Sequence, residues 1–309
     1  MIEIIKPGIS QHALVTLAVG NKYVDSWEKY AKPNWVKYCE RNNLGLYLET
    51  TDRDQDVVPK KRQWQKMLLG EEVKRLNPDI RTLCYLDTDI LVNPFAPNIF
   101  EQHVPETVGL VSKFQGLPYD RMLCLRRIAF LRKNFISEKY PLDSALFLDK
   151  DRLFTYQDLP AQPDYACTGL LLFDVGRVSL HLENAFYKYK MPIKSITDGG
   201  EEAHLNFEIQ SEFKVNWLDY RFQTFWTYEM SWKYPFLYSE NDNLELIAKC
   251  IRSSLWGTYF LHFAGSWNEG DHWENPNLYI DLKWDELQSR FSMYLETPVT
   301  GNPVGKITR

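Results

Sequence analysis

The sequence predicts a protein of the α/β class, with a mixed, mostly parallel sheet covered by helices on both faces. Short apolar runs at 12–19, 44–48 and 82–86 indicate buried strands. Between them, residues 23–42 and 63–76 place large apolar side chains at helical spacing among charged residues. Such an alternation of strands and helices is typical of parallel strands joined by crossover helices.

The rest of the chain continues this pattern with one change of character. The first helix is expected to kink near Pro33, because proline lacks a backbone N–H group. Residues 117–140 interleave Arg and Lys with Leu, Ile and Phe, which predicts a basic amphipathic helix. Two later apolar runs, 165–175 and 258–264, indicate further buried strands.

Composition limits the classes of function that the chain can have. Its 309 residues, 44% of them hydrophobic, are enough for a large buried core. A net charge of −5 argues against a nucleic-acid partner bound through its phosphates. The five cysteines are scattered without metal-ligand spacing, which indicates a reducing compartment. With no signal peptide and no apolar run of about 20 residues, we expect a cytoplasmic protein, unless a membrane anchor has been removed.

A pair of carboxylates follows the third predicted strand directly. Asp87 and Asp89 flank Thr88, and open parallel sheets bind ligands at the carboxyl ends of their strands. Two carboxylates there can hold Mn²⁺ or Mg²⁺, which would bridge the phosphates of a nucleotide. Asp-x-Asp triplets also occur within 52–56, in a polar loop, and at 149–151, after another apolar run. We prefer Asp87 and Asp89 because the elements before them can form a nucleotide-binding half.

Three segments resemble the ABO blood-group and α1,3-galactosyltransferase family: TLAVGNKYV (16–24), RQWQKM (62–67) and EEAHLN (201–206). The resemblance implies that Glu202 is the catalytic carboxylate, with Glu201 as its neighbour. Both acids open a predicted helix, so stabilisation of the helix dipole is the alternative role. The same resemblance implies that further residues contact the donor, its phosphates or the acceptor. Their alternative roles are in the core, on the surface or in capping. These residues are Ala18, Val19, Tyr23, Arg62, Lys66, His204 and Asn206.

Two further segments resemble the family of glycogenin and the lipopolysaccharide galactosyltransferases: ACTGLLLFD (166–174) and LHFAG (261–265). The first implies that Thr168 and Gly169 let a sugar approach the backbone. The second implies that His262 is a third metal ligand and that Gly265 contributes to binding of the substrate or nucleotide; a core role is the alternative for His262. Ser266 and Trp267 stand where that family has Lys-Pro-Trp, and Trp267 is a candidate for stacking on sugar.

Together these resemblances imply a retaining glycosyltransferase of the GT-A fold that moves a hexose from a UDP-sugar to a glycan or lipid-linked hydroxyl. We expect one continuous domain with a nucleotide-sugar-binding half (1–115), a basic helical insertion (116–154), an acceptor-binding half (155–290) and a tail (291–309). Residues 121–133 form either a solvated surface helix or a peripheral contact with an anionic membrane. The rival functions are a nucleotidyltransferase or phosphohydrolase with a carboxylate metal site, and a non-catalytic sugar-binding module.

Overall fold

The structure is a computed structural model that describes residues 1–54, 56, 58–136, 145–190, 200–265 and 268–278. Trp267 and the tail at 291–309 lie outside these residues. The strands within them are β1 (Ile2–Ile5), β2 (His12–Leu17), β3 (Gly45–Glu49), β4 (Thr82–Leu86), β5 (Ile90–Val92), β6 (Thr107–Leu110), β7 (Leu170–Asp174), β8 (Lys214–Trp217), β9 (Thr224–Phe225) and β10 (Phe260–His262).

The helices connect these strands and cover them. In chain order they are α1 (Asn21–Ser26), α2 (Lys32–Asn42), α3 (Leu69–Leu76), α4 (Arg121–Phe135), α5 (Lys150–Thr155), α6 (Arg177–Lys188), α7 (Glu202–Glu212), α8 (Trp226–Lys233) and α9 (Leu244–Gly257). Shorter 3-10 helices lie at Arg62–Leu68, Ile99–Gln102, Ala145–Phe147, Tyr220–Gln223, Pro235–Tyr238, Asn268–Glu274 and Pro276–Leu278. None of the helices in the described ranges combines the length and apolar character that a membrane span needs.

The strands form a seven-stranded sheet of order β1-β3-β2-β4-β7-β6-β8 and a three-stranded sheet of order β5-β10-β9. This arrangement confirms the predicted α/β class. β2 runs parallel to β3 and β4, as the strand–helix alternation predicted, and β6 runs parallel to β8. However, β1 is antiparallel to β3, and β7 is antiparallel to both β4 and β6. The sheet is therefore mixed, without the expected excess of parallel strand pairs. The reason is that β5, β6, α4 and α5 lie between β4 and β7 in the chain, so that no single crossover helix connects these two neighbouring strands.

Side chains from both faces of the large sheet are buried under helices, as predicted. Along β4, Leu83 and Tyr85 join a core with residues of α3, α6 and α7. The alternate residues Cys84 and Leu86 point to the other face and join a core with residues of α2, α8, α9 and the small sheet. This alternation follows from the two-residue repeat of a strand.

The first long helix is irregular just before its proline, where the sequence predicted a kink. Helical structure runs from Asn21 to Asn42, but residues Trp27–Ala31 form a π-helical turn just before Pro33. Because proline lacks an N–H group and its ring crowds the preceding turn, a wider turn accommodates it. Behind this turn, Trp35 donates a hydrogen bond to the Ile90 carbonyl at 2.8 Å, which ties the helix to β5.

The antiparallel entry of β7 brings three segments together at one point. Asp87 follows β4, and its N–H donates to the Gly169 carbonyl at 2.9 Å. Asp89 precedes β5, and its carbonyl accepts from Phe263 N–H at 3.0 Å. The ends of β4 and β10 and the start of β7 therefore converge between the two sheets.

Candidate active site

A cavity of about 530 Å³ opens where these strand ends converge. The two predicted metal-binding aspartates, His262, Thr168, Gly169, Glu201, Glu202 and Lys66 all line it. Residues far apart in sequence, predicted from separate motifs, therefore face one volume. Gly265 also lines this cavity, in a left-handed backbone conformation with φ of 111°.

Asp87, Asp89 and His262 form a compact cluster of metal-ligand atoms. One atom from each lies within 4.8 Å of the others, and His262 Nε2 is 3.3 Å from Asp89 Oδ1 and 3.9 Å from Asp87 Oδ2. A divalent cation at bonds of about 2.0–2.2 Å could bridge atoms with this separation. Within the described residues, Asp89 Oδ1 is buried and makes no hydrogen bond of good geometry, although His262 Nε2 lies 3.3 Å away. The donor set and the orphaned oxygen both fit a cation.

The surroundings of the cluster orient its ligand atoms. Asp87 Oδ1 accepts hydrogen bonds from Tyr85 and from Lys66 Nζ, which leaves Oδ2 turned toward His262. In the orientation that satisfies its neighbours, the Gln223 amide donates to the Cys167 carbonyl, and its oxygen accepts from His262 Nδ1 at 3.2 Å. A proton held on Nδ1 leaves Nε2 as the unprotonated, ligating nitrogen.

Electrostatics link His262 to Asp89. Burial lowers the pKa of His262, but the interactions with the Asp89 carboxylate and with Cys167 together outweigh burial and raise that pKa well above its usual value. Burial likewise opposes the charge on Asp89, yet the His262 imidazole, a backbone hydrogen bond and the Lys66 ammonium together outweigh burial and lower the pKa of that carboxyl. The cluster thus holds a proton when no cation neutralises it, and cation binding must release that proton.

Gly169 is needed for space rather than for backbone conformation. A Cβ atom at this position would lie 2.5 Å from His262 Cε1, 2.8 Å from Asp87 Oδ2 and 2.9 Å from the side-chain amide of Gln223. Because real contacts of a Cβ atom are essentially never this short, any side chain here would displace the cluster. The glycine therefore lets the start of β7 pack directly against the metal-ligand atoms.

Lys66 joins the metal cluster to the first of the two predicted acids. Its buried ammonium lies 3.2 Å from Asp87 Oδ1 and 2.8 Å from Glu201 Oε1. Burial opposes the charge, but Asp87 and Glu201 outweigh it and raise the pKa of Lys66 well above its usual value. Glu201 also accepts a hydrogen bond from Thr168 Oγ1 at 2.8 Å. Two donors, Lys66 and Thr168, therefore hold the Glu201 carboxylate, which is almost fully shielded from solvent.

Glu202 occupies a different environment from its neighbour. It begins α7, lines the cavity, and its side chain is 19% exposed against 6% for Glu201. Its Oε1 accepts from Lys113 Nζ at 2.6 Å. The sequence analysis missed Lys113, which follows β6 in a polar loop and is held by a backbone hydrogen bond from its N–H to the Tyr165 carbonyl. No local pattern distinguishes this lysine, because only the fold brings it to Glu202.

Asn206 and His204 lie behind the cavity rather than on its wall. The Asn206 side chain both donates to and accepts from the backbone of Ala166 at 2.8 Å, which joins α7 to the segment before β7. The ring of His204 packs against Trp64 and Tyr189, with centroids 5.2 and 4.5 Å away. Burial lowers the pKa of His204 to about 4, so this ring is neutral at pH 7. Both residues therefore have structural roles in the folded chain.

The predicted donor segment, residues 16–24, runs from the end of β2 into α1, and none of its residues lines the cavity. Ala18 and Val19 are buried, and the Val19 carbonyl accepts from Arg62 Nη1 at 3.1 Å. Tyr23 is 53% exposed at the start of the first helix. Thr88 is half-buried between the two metal-site aspartates. Their contacts with a donor remain predictions.

The competing aspartate triplets have other structural roles. Asp149 accepts from Arg152 N–H at 2.8 Å and so caps the N-terminus of α5. Asp54 Oδ2 accepts from Lys60 N–H at 2.7 Å within the polar loop. None of the acids in the two other regions lines the cavity. The choice of Asp87 and Asp89 as the cluster is consistent with this placement.

The basic helix predicted in the insertion turns one of its arginines inward. Arg132 of α4 is buried, lines the cavity and lies 2.7 Å from Glu269 Oε1. Tyr238 donates to the same carboxylate oxygen at 2.7 Å. Arg132 is thus part of the cavity wall rather than of a solvated or membrane-facing surface.

No protein-family model and no curated protein matches this sequence. Among solved structures, the chain is similar to a glycosyltransferase involved in the glycosylation of the major capsid of PBCV-1, with 11% identity, a TM-score of 0.47, and 85% of this chain and 98% of that chain covered. It is also similar to the apo structure of the bifunctional glycosyltransferase WbbM, with 12% identity and a TM-score of 0.42. That match covers 93% of this chain but only 52% of WbbM, so this chain spans about half of its length. Likenesses at these TM-scores assign neither an activity nor a substrate to the chain.

Proposed function

We propose that this protein is a metal-dependent glycosyltransferase that moves a hexose from a UDP-sugar to an acceptor hydroxyl. The observation that carries the proposal is one cavity that holds both the Asp87, Asp89 and His262 cluster and the Glu202 carboxylate. A sugar nucleotide needs both features, because charge changes at its diphosphate and at its anomeric carbon during transfer.

Asp87, Asp89 and His262 would hold Mn²⁺ or Mg²⁺. An imidazole in the ligand set favours Mn²⁺, because Mg²⁺ prefers oxygen ligands alone. When bound, such a cation would supply positive charge to a departing diphosphate. The uridine diphosphate donor is proposed from the resemblance of residues 16–24 and 62–67, with Ala18, Val19 and Tyr23 near the base.

Glu202 would act at the anomeric carbon. In the transfer, the bond from this carbon to the diphosphate oxygen breaks, a bond to the acceptor oxygen forms, and the proton of the acceptor hydroxyl passes to the departing diphosphate or to solvent. Positive charge develops on the sugar ring between these events, and an ionised carboxylate facing it stabilises that charge. Lys113 holds Glu202 Oε1 at 2.6 Å and would fix the direction of the carboxylate. Retention of configuration is proposed from the resemblance of the segment around Glu202.

The remaining cavity wall suits a sugar acceptor. Phe225 and Tyr228 line it beside the polar groups, and aromatic rings pack well on the apolar faces of sugars. We therefore propose a glycan or glycolipid hydroxyl as the acceptor. A glycolipid acceptor would require peripheral contact with a membrane, for which residues 121–133 are the expected segment.

Calorimetry with UDP, in the presence of Mn²⁺ and with chelator, tests the metal and donor together. We expect binding that depends on Mn²⁺, followed by release of UDP when a matching UDP-sugar and acceptor are supplied. Transfer of a nucleotidyl group, or release of phosphate, would identify the chain as a nucleotidyltransferase or phosphohydrolase instead. Binding of sugar without UDP binding or turnover would identify a non-catalytic sugar-binding module.

A further inference from the structure

Helix α4 exposes one continuous surface that combines apolar and basic side chains. At about 100° per residue, its exposed positions other than the last residue, Phe135, fall within an arc of about 140° around the helix axis. They are Met122, Leu123, Arg126, Arg127, Phe130, Lys133 and Asn134, which together are named the α4 face. Its apolar members are well exposed: Phe130 by 64%, Met122 by 56% and Leu123 by 52%. Large apolar side chains on a protein surface in such density indicate a contact site.

The charge of the α4 face is entirely positive. Helix α4 contains no acidic residue, although the chain as a whole has a net charge of −5. In the part of the chain that the structure describes, no carboxylate pairs with Arg126, Arg127 or Lys133. On the neighbouring helix α8, Glu229 is buried and is held by Lys233 and Ser254. Among the described residues, no carboxylate therefore neutralises the positive charge on this face.

A tryptophan from a second helix extends the α4 face. Trp232 of α8 is 36% exposed, and the Arg127 guanidinium lies 5.8 Å from the centre of its ring. Helices α4 and α8 pack against each other, so their relative position is set by buried contacts. Trp and Arg side by side are typical of surfaces that insert at the boundary between lipid head groups and acyl chains.

We propose that the α4 face, together with Trp232, binds the surface of an anionic lipid bilayer. The apolar side chains of the α4 face can insert among the acyl chains of such a bilayer, and its basic side chains, which no described carboxylate pairs with, can contact the lipid phosphates. A second copy of this chain fits less well, because a two-fold contact would bring the same positive charges together.

This surface lies next to the candidate active site. The opposite side of α4 supplies Arg132 to the cavity wall, and α8 supplies Tyr228. A helix with its side chains is about 10 Å across, so a membrane on the α4 face would lie about one helix away from the cavity. The membrane contact does not depend on the proposed function. If the protein is a glycosyltransferase, as proposed above, the short distance from membrane to cavity implies that its acceptor is a sugar on the head group of a lipid.

Sedimentation with vesicles tests the membrane contact without reference to catalysis. The purified protein is mixed, in the presence of chelator and without sugar nucleotide, with vesicles of phosphatidylglycerol and phosphatidylcholine or of phosphatidylcholine alone. We expect binding to the anionic vesicles that weakens as salt is added. The triple variant Arg126→Gln, Arg127→Gln, Lys133→Gln should bind about fivefold less tightly per charge removed, or on the order of 100-fold in all. Phe130→Ser should weaken binding at every salt concentration.

A matched triple variant, Lys6→Gln, Lys29→Gln, Lys214→Gln, removes three exposed charges elsewhere and should bind vesicles like the parent. The proposal is overturned if the parent does not bind anionic vesicles, or if the two triple variants lose binding equally. It is also overturned if sedimentation without lipid shows a dimer that the α4 variants dissociate. Because no step needs UDP or Mn²⁺, failure here leaves the proposed transferase activity standing, and the reverse is also true.

Discussion

Replacement of Gly169 by alanine is the sharpest test of the metal cluster. The glycine does not require a left-handed backbone, so alanine introduces no strain through its own φ angle. Its added methyl carbon would instead meet His262 Cε1 at 2.5 Å and Asp87 Oδ2 at 2.8 Å. At least one of these ligand groups must move, and His262 cannot do so without disturbing its contact with Gln223.

Two magnitudes follow from this geometry. Overpacking of one methyl group into a filled interior typically costs about 1–3 kcal/mol of unfolding free energy. Displacement of groups that orient metal ligands typically weakens metal binding by about 10–100-fold. We therefore expect Gly169→Ala to remain folded, to lose stability in this range, and to bind Mn²⁺ at least about tenfold more weakly.

Urea unfolding measures the loss of unfolding free energy, and electron paramagnetic resonance of free Mn²⁺ measures the affinity for the cation. Gly257→Ala is the matched control: Gly257 also lacks a positive φ, and an added Cβ meets no atom within 4 Å. This variant should keep the parent's Mn²⁺ affinity. Mn²⁺ binding by Gly169→Ala at the parent's strength would show that the cation site lies elsewhere.

Three further predictions concern the acids and the buried histidine. Asp89→Asn should abolish the Mn²⁺-dependent part of UDP binding in calorimetry. Asp149→Asn keeps a residue that can cap helix α5 and should leave UDP binding unchanged. The reverse result would place the metal site at the Asp-x-Asp triplet of residues 149–151. Glu202→Gln should lower kcat by about 10²–10³ with little change in stability; equal turnover in the parent and Glu202→Gln would contradict the catalytic role. Glu201→Gln should instead lower the free energy of unfolding in urea, by up to about 3–5 kcal/mol, because it removes one of the two carboxylates that neutralise the buried Lys66 ammonium. The pKa of His204 is 6.5 in the unfolded chain and about 4 in the folded chain, so the unfolded chain binds a proton first as the pH falls. The free energy of unfolding should therefore decline by up to about 3 kcal/mol between pH 6.5 and 4. If the His204→Gln variant shows the same decline in urea unfolding over this range, other groups cause it.

Local sequence was sufficient for the elements that carry their own periodicity. The strand at Thr82–Leu86 was predicted with the boundaries that the structure shows, because a continuous apolar run of this length is buried on both faces of a sheet. The irregular, π-helical turn at Trp27–Ala31 just before Pro33 is consistent with the covalent structure of proline, which led to the prediction of a kink there. By contrast, β1 was not predicted: Ile2–Ile5 is an exposed edge strand whose pairing with β3 has no signature in its own residues.

The sequence by itself determined the types of side chain available for chemistry: the Asp87 and Asp89 pair, the adjacent Glu201 and Glu202, and a histidine in a late strand. Only the tertiary structure decided which of them meet. The antiparallel entry of β7 puts Gly169 against the metal ligands, and the same fold brings Lys113 to Glu202, 89 residues along the chain. Local patterns encode helices and strands through nearest neighbours, whereas these contacts depend on strand order and direction. For that reason neither the lysine partner nor the inward turn of Arg132 could be predicted from the residues around it.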